Sequence, residues 1–369
     1  MSSSEATRVP GLPPRFLVKI VLGFRRWLLA LANAMVPPQL PLFELATGIG
    51  RTHMLGTAAR LKLADLLADG PLDAAQLAAR TSRDPDAMQR MMRALVTVGV
   101  FALRRDGRFA NNRLSNGLRS GRVGTFRDFA DYFGSASNVN AWADFDGTLQ
   151  TGKNAFERVH GMSVWDWFDR HPEERSVFAA AMGSMTQLDA PGVARAYPFR
   201  EVRRVCDVAG SRGALLAEVL VQHRHLSGVL FDNAGVIATA GPLLGARGVA
   251  DRVELSSGSF FDKVPEGCDA YLLKNILHDW DDERSVTILQ NCRRAMKPGH
   301  RLLIVELVVE KQETAGIGPL SDVQMMMVCN EGRERSRADF ARLLQLSGFQ
   351  LSRVVPTPTL MSIVEGVAA

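Results

Sequence analysis

The chain has 369 residues, 46% of them hydrophobic and 22% charged, with a formal net charge of +5. That length is enough for two domains and a large core. The cysteines Cys206, Cys268, Cys292 and Cys329 are too widely spaced for a zinc site or a disulfide framework, and read as buried free thiols of a reducing compartment.

Near the N-terminus, Leu17, Ile20, Val21, Phe24, Leu28, Leu31 and Met35 make one helical stripe. Lys19, Arg25 and Arg26 interrupt the apolar run, and no small-residue cleavage site follows before Pro37 and Pro38, so neither a membrane span nor a signal peptide is expected. Residues 1–39 read as an amphipathic arm on a dimer surface, the alternative being weak peripheral membrane contact through residues 16–36. A cytoplasmic protein is expected.

Residues 40–120 read as a winged helix. Thr52 to Leu67 has helical apolar spacing, Asp69-Gly70-Pro71 breaks it, and Ala74 to Ala79, Asp84 to Val98 and a hairpin over 100–110 complete a helix-helix-wing order. Such a module invites a nucleic-acid reading. Its second helix argues otherwise, because Met88, Met91, Met92 and Leu95 share a face and only Arg90 and Arg93 are basic, so no nucleic-acid partner is expected. Residues 121–190 are predicted as a helical linker rich in aromatic residues, among them Phe129, Tyr132, Trp142, Trp165 and Phe168, where a flat substrate could lie. Met182, Met185 and Met325 to Met327 offer adaptable walls for it.

From residue 191 onward the pattern becomes strand, turn, helix. Val205-Cys206-Asp207-Val208 is an apolar strand, Ala209-Gly210-Ser211-Arg212-Gly213 a small-residue turn, and Ala214 to Leu220 a helix. The turn could bring a ligand close to the backbone and to a helix N-terminus, or be a plain structural turn. A second strand ends in Asp232 about twenty residues on, the distance at which an acidic side chain takes the ribose hydroxyls of an adenosine cofactor.

A third apolar strand, Asp269 to Leu273, leads through Lys274 to His278 and then to the acidic helix start Asp281-Asp282-Glu283. A histidine there either projects into the crevice at the strand ends or merely packs and caps the loop. Glu306 ends a fourth apolar strand and is placed to orient the imidazole; Glu334 lies in an Arg333-Glu334-Arg335 cluster that could equally be a surface ion-pair network. His278, Asp279, Asp281 and Asp282 form a polar cluster, but no second ligand group has metal-site spacing and no metal is expected.

Taken in order, Asp207 to Gly213, Phe231-Asp232, Asp251-Arg252-Val253, Gly258-Ser259-Phe260-Phe261, Lys274 to Glu283, Leu303 to Glu306, Gly332 to Ser336 and Gly348-Phe349 resemble the S-adenosylmethionine-dependent O-methyltransferases of small aromatic and polyketide-like molecules, the caffeate and hydroxyneurosporene type. The resemblance runs from about Leu40 to the C-terminus. It implies an α/β, Rossmann-like methyltransferase domain over 191–369, an all-helical, winged-helix dimerisation domain before it, and a homodimer. It implies S-adenosylmethionine as cofactor, with Ala209 and Gly210 at the methionine portion, Asp232 at the ribose, Ser259 and Phe260 at the adenine and Lys274 at the carboxylate. His278 would be the general base, with Glu306 and Glu334 beside it, and a small aromatic or polyketide-like molecule the substrate.

Several positions depart from the family's pattern. Ala209 and Ser211 stand where it has glycines, Ser259 where many members have aspartate, and Asn233-Ala234 where Leu-Pro is usual. The alanine methyl matters only if its backbone needs a positive φ.

The chemistry asks for these residue types. Methyl transfer from a sulfonium to oxygen needs an oxyanion-like nucleophile, while a phenol of pKa about 10 is protonated at neutral pH. A histidine of ordinary pKa, about 6.5, is neutral there and takes that proton as the bond forms. Two other readings fit the same residues: a same-fold enzyme turned to cofactor-assisted hydroxylation, decarboxylation or pericyclic chemistry, and a non-catalytic winged-helix regulator.

Overall fold

The structure, a computed structural model, describes residues 15–329 and 331–369; the part of the expected arm before Arg15 lies outside them. Two compact units emerge. One comprises Gly23–Asn140 with Phe168–Met185, and the other centres on Ala141–Trp167 and Thr186–Ala369. The expected linker 121–190 is therefore divided between the two units.

In the first unit the helix Ala74–Thr81 starts from a capping box, the Asp73 side chain accepting from Gln76 N at 2.8 Å and Gln76 Oε1 from Asp73 N at 3.0 Å. Helix Pro85–Thr97 starts from Asp84, which accepts from Ala87 N, with proline at its first position. Met88, Met92 and Leu95 are buried with Leu77, Phe101 and Phe109, whereas Arg90 and Arg93 are exposed. The wing is a short antiparallel pair, β1 (Phe101–Leu103) and β2 (Phe109–Asn111). The long helix expected over Thr52 to Leu67 breaks at Lys62, whose φ of +52° stops helix Gly48–Arg60 and starts the turn Leu63–Leu66.

Phe129, Tyr132, Phe133, Phe168 and Phe178 pack ring against ring within this unit, with centroids 4.5 Å apart for Phe129 and Phe133 and 4.7 Å for Phe168 and Phe178. Tyr132 and Phe168 are buried there, and Phe129, Phe133 and Phe178 half-buried. Helix Arg15–Ala34 is different: apart from the half-buried Val18, its described side chains from Phe16 on are all exposed. No helix among the described residues is long and apolar enough to cross a membrane.

The second unit is built on a seven-stranded sheet: β3 (Arg204–Val208), β4 (Ser227–Asp232), β5 (Val253–Ser257), β6 (Ala270–Lys274), β7 (Arg301–Glu306), β8 (Phe349–Pro356) and β9 (Ser362–Ala368). Their order is β5-β4-β3-β6-β7-β9-β8, parallel from β5 to β7 and antiparallel at β9 and β8. Continuous apolar runs suit the inner strands because both faces are covered. Along β6, Leu272 faces one core with Leu216, Leu220 and Leu230, while Tyr271 and Leu273 face a second with Ile288, Ile304 and Phe340. All four cysteines are buried free thiols. The strand order reverses between β3 and β6, and ligand crevices of such sheets open at the carboxyl ends of the strands flanking that point.

Two helices of the first unit meet backbone to backbone. A Cβ on Gly56 would stand 2.9 Å from Gly134 Cα and 3.0 Å from Ala130 O. Gly56→Val should cost about 1–3 kcal/mol by forcing them apart, seen as a lower midpoint of thermal denaturation; an unchanged midpoint would show that the close approach carries no stability.

Candidate active site

The crevice is bordered by the ends of β3, β4, β6 and β7. After β3 the chain turns through Ala209, φ +55°, Gly210, Ser211, φ +54°, and Gly213, φ +81°. Both residues that replace glycines thus adopt the left-handed conformation, at about 1–2 kcal/mol each for an L-residue. Gly210 has no room for a side chain, since a Cβ would lie 2.6 Å from Asp207 Oδ2 and from Leu230 Cδ1. Half-buried Gly210 therefore presents only backbone in the turn.

Asp232, at the end of β4, ties this turn down: its Oδ2 accepts from Ser211 N at 2.9 Å and its Oδ1 from Asn233 N at 2.7 Å. Each oxygen keeps a lone pair for another donor. Beneath the turn lies Asp207, 1% exposed, whose Oδ2 has no hydrogen-bond partner among the described residues. Burial pushes its carboxyl up to about 7, against the Leu216 N–H that lowers it and with the Asp232 charge that raises it further.

Lys274 ends β6 with its Nζ 3.4 Å from Asp189 Oδ2, both side chains largely buried. An ammonium has three donors, so this long ion pair leaves capacity for a ligand carboxylate. Ser259 Oγ accepts from Phe261 N at 3.2 Å, and Asn291 Nδ2 holds the same loop through the carbonyls of Phe260 and Phe261, at 2.8 Å each. Asn291 gave no signal in the sequence, because it sits on a helix whose periodicity marks only a core face.

His278 lies in a single 3-10 turn, Leu277–Asp279, between β6 and helix Asp282–Arg294. Its Nδ1 is 3.1 Å from Glu334 Oε1 and its Nε2 is 3.5 Å from Asp279 Oδ1. Glu306 does not hold the ring as its strand position suggested. Its Oε1 instead accepts from the backbone of Ile276, Leu277 and His278, at 3.1, 2.7 and 3.3 Å. The unpaired N–H groups of the turn lie nearer the end of β7 than the imidazole does, and a buried carboxylate satisfies them first.

Glu334 makes the contact with the ring, supported by Ser321 Oγ, which donates to the same oxygen at 2.8 Å, and by its own N–H, which donates to Asp322 at 2.8 Å. The surface-network alternative for the neighbouring arginine also fails. Arg335 is 1% exposed and donates to the carbonyls of Leu277 and Trp280, to Asp282 Oδ1 and to Ser285 Oγ.

Burial by itself would lower the His278 pKa, but Asp279, Glu334 and Glu306 outweigh it and push the value up to about 10. The ring is thus an imidazolium at neutral pH, where an ordinary histidine would be neutral. Burial raises the carboxyls of Asp279 and Glu306 in turn, with the His278 charge pulling both back.

An O-methyltransferase domain model matches residues 142–350, and an O-methyltransferase dimerisation domain model matches residues 43–120. The chain belongs to the O-methyltransferase family. The phenazine O-methyltransferase PhzM of Lysobacter antibioticus is 39% identical over 330 residues, 89% of this chain and 96% of that protein. A mitomycin biosynthesis 6-O-methyltransferase of Streptomyces lavendulae is 35% identical, over 85% and 89% of the two chains. The crystal structure of LaPhzM matches with a TM-score of 0.87 at 38% identity, covering 90% of this chain and all of that one.

The protein is accordingly an enzyme that methylates with S-adenosylmethionine. The crevice fits that cofactor: a turn that presents backbone at Gly210, a strand-end carboxylate with free lone pairs, and a buried lysine on the next strand but one all border it.

If His278 takes the acceptor's proton, the enzyme's pH dependence should report the carboxylates that raise its pKa. For a weakly acidic acceptor, kcat/KM should rise with pH through the neutral range. Glu334→Gln retains an oxygen that accepts from Nδ1 but loses the charge, so the ring loses its proton more readily and the plateau should begin about one pH unit lower or more. A profile that does not move would separate Glu334 from the titration.

Proposed function

We propose that this enzyme transfers the methyl group to a phenolic or enolic hydroxyl of a small aromatic or polyketide-like secondary metabolite, without a metal, and that His278 handles the hydroxyl proton. When bound, S-adenosylmethionine supplies an electrophilic methyl on a sulfonium. Asp232 would hold its ribose, the turn at Ala209 and Gly210 its methionine portion, Ser259 and Phe260 its adenine, and Lys274 its carboxylate, drawn from Asp189. The observation that carries the reading is the pinning of His278 by Glu334 at the mouth of β6, in a chain of this family.

In this reading Glu334 fixes the ring through Nδ1, leaving Nε2 as the atom that meets the substrate oxygen. The Nε2 proton passes first to solvent or to Asp279, the carboxylate beside it. The neutral nitrogen then accepts the proton of a hydroxyl whose own pKa, about 10 for a phenol, is close to that of the ring, so the transfer is nearly isoenergetic. Glu306 and Arg335 act on the loop that carries the ring, and Glu306 is a positioning residue. Trp280 stacks on Trp165 with centroids 5.9 Å apart, and Met325 Sδ lies 3.9 Å from Cys329 Sγ, beside Asp279. A flat apolar ring suits such walls. One relative is named a phenazine O-methyltransferase, and a phenazine is a flat aromatic ring system of this kind.

The dimerisation module supports a homodimer, and the proposed division is an arm at 1–39, the module at 40–120, a linker at 121–190 and the catalytic domain at 191–369, in an enzyme of the cytoplasm.

His278→Ala should lower kcat by about 10²–10⁴ while cofactor affinity, read by calorimetry, stays within a few fold. Phenols already ionised at the assay pH should be spared, and EDTA should have no effect. Near-normal turnover on an ordinary phenol would return His278 to a packing role.

A further inference from the structure

Helix Arg15–Ala34 lies ahead of both matched domains, and the fold so far described makes no use of it. Its twenty residues span about 30 Å at 1.5 Å per residue. Leu17, Ile20, Phe24, Leu28 and Leu31 follow one another along one face, while Arg26 and Asn33 fall on the opposite one. Large apolar side chains stand in the open: Ile20 is 61% exposed, Phe24 58% and Trp27 57%, the last two with their rings stacked. Exposed leucines also continue around the helix, at Leu22 and Leu29.

Charge identifies the occupant. The segment carries Arg15, Lys19, Arg25 and Arg26 and no acidic residue. Pairing two such helices from two copies would bring like charges together with nothing to neutralise them. A layer of anionic headgroups over hydrocarbon answers both features, since apolar side chains enter the acyl boundary and arginines reach back to the phosphates. We propose that helix Arg15–Ala34 docks the enzyme in the plane of an anionic phospholipid bilayer surface. Bound so, the enzyme would meet apolar acceptors that partition into the lipid.

The test is co-sedimentation of the full-length enzyme with vesicles of phosphatidylcholine, with and without phosphatidylglycerol. Binding should require the anionic lipid and weaken several-fold between low and high salt. Trp27 emission, read by difference against Trp27→Phe, should shift to the blue on binding. The double variant Phe24→Asp, Trp27→Asp should bind at least about tenfold more weakly, with the mass of the assembly and turnover of a soluble acceptor unchanged. Failure of the intact enzyme to bind anionic vesicles overturns the proposal, as does undiminished binding by the double variant. Conversion of a dimer to monomers by the same variant, seen by light scattering, also overturns it and assigns the helix to a second copy.

Discussion

The loop between β6 and helix Asp282–Arg294 is irregular, partly buried backbone, and everything at the catalytic end depends on how its polar groups are satisfied. An unpaired N–H or C=O there would cost about 1–3 kcal/mol. Two opposed side chains answer the requirement. Glu306 accepts three successive N–H groups from 276–278, and Arg335 donates to the carbonyls of Leu277 and Trp280. Neither is an ornament on a finished loop, since each leaves a charge buried that only the other side of the loop and its neighbours balance. His278 is the residue that this arrangement holds still.

The same requirement fixes the ring's charge. Bringing Glu306, Glu334 and Asp279 to one turn places three carboxylates about a single imidazole, and the ring keeps its proton far above the usual range. Holding the loop and charging the histidine are therefore one physical event. In the proposed reaction the ring and a phenolic hydroxyl would compete for protons on nearly equal terms, so proton transfer would not be steep in either direction.

Much of this was legible in the sequence, and the misses have physical causes. The strands β3, β4, β6 and β7 announced themselves as apolar runs, and strand ends locate Asp232, Lys274, His278 and Glu306. The partner of a side chain is harder to read than its position. Glu334 and Arg335 looked like a charged surface patch because they lie on a segment without periodicity. They are brought beside the end of β7 by a bridge between Val308 and Arg335, with Val309 N donating to Arg335 O at 3.0 Å, a pairing that no local pattern encodes. The assignment of Glu306 to the ring failed because proximity along the sheet says nothing about which donor a carboxylate will satisfy. The break at Lys62 was hidden too, since apolar spacing continues across a residue whose φ has changed sign.

The account turns on the charge state and anchoring of one imidazole. Nitrogen-15 NMR of the full-length enzyme with labelled histidine, assigned by comparison with His278→Ala and followed from pH 6 to 9, reads both directly. The shifts of His278 should be those of a doubly protonated ring throughout that range, with an Nδ1 proton protected by its bond to Glu334. A His278 signal titrating near pH 6.5 to a neutral ring would contradict the account.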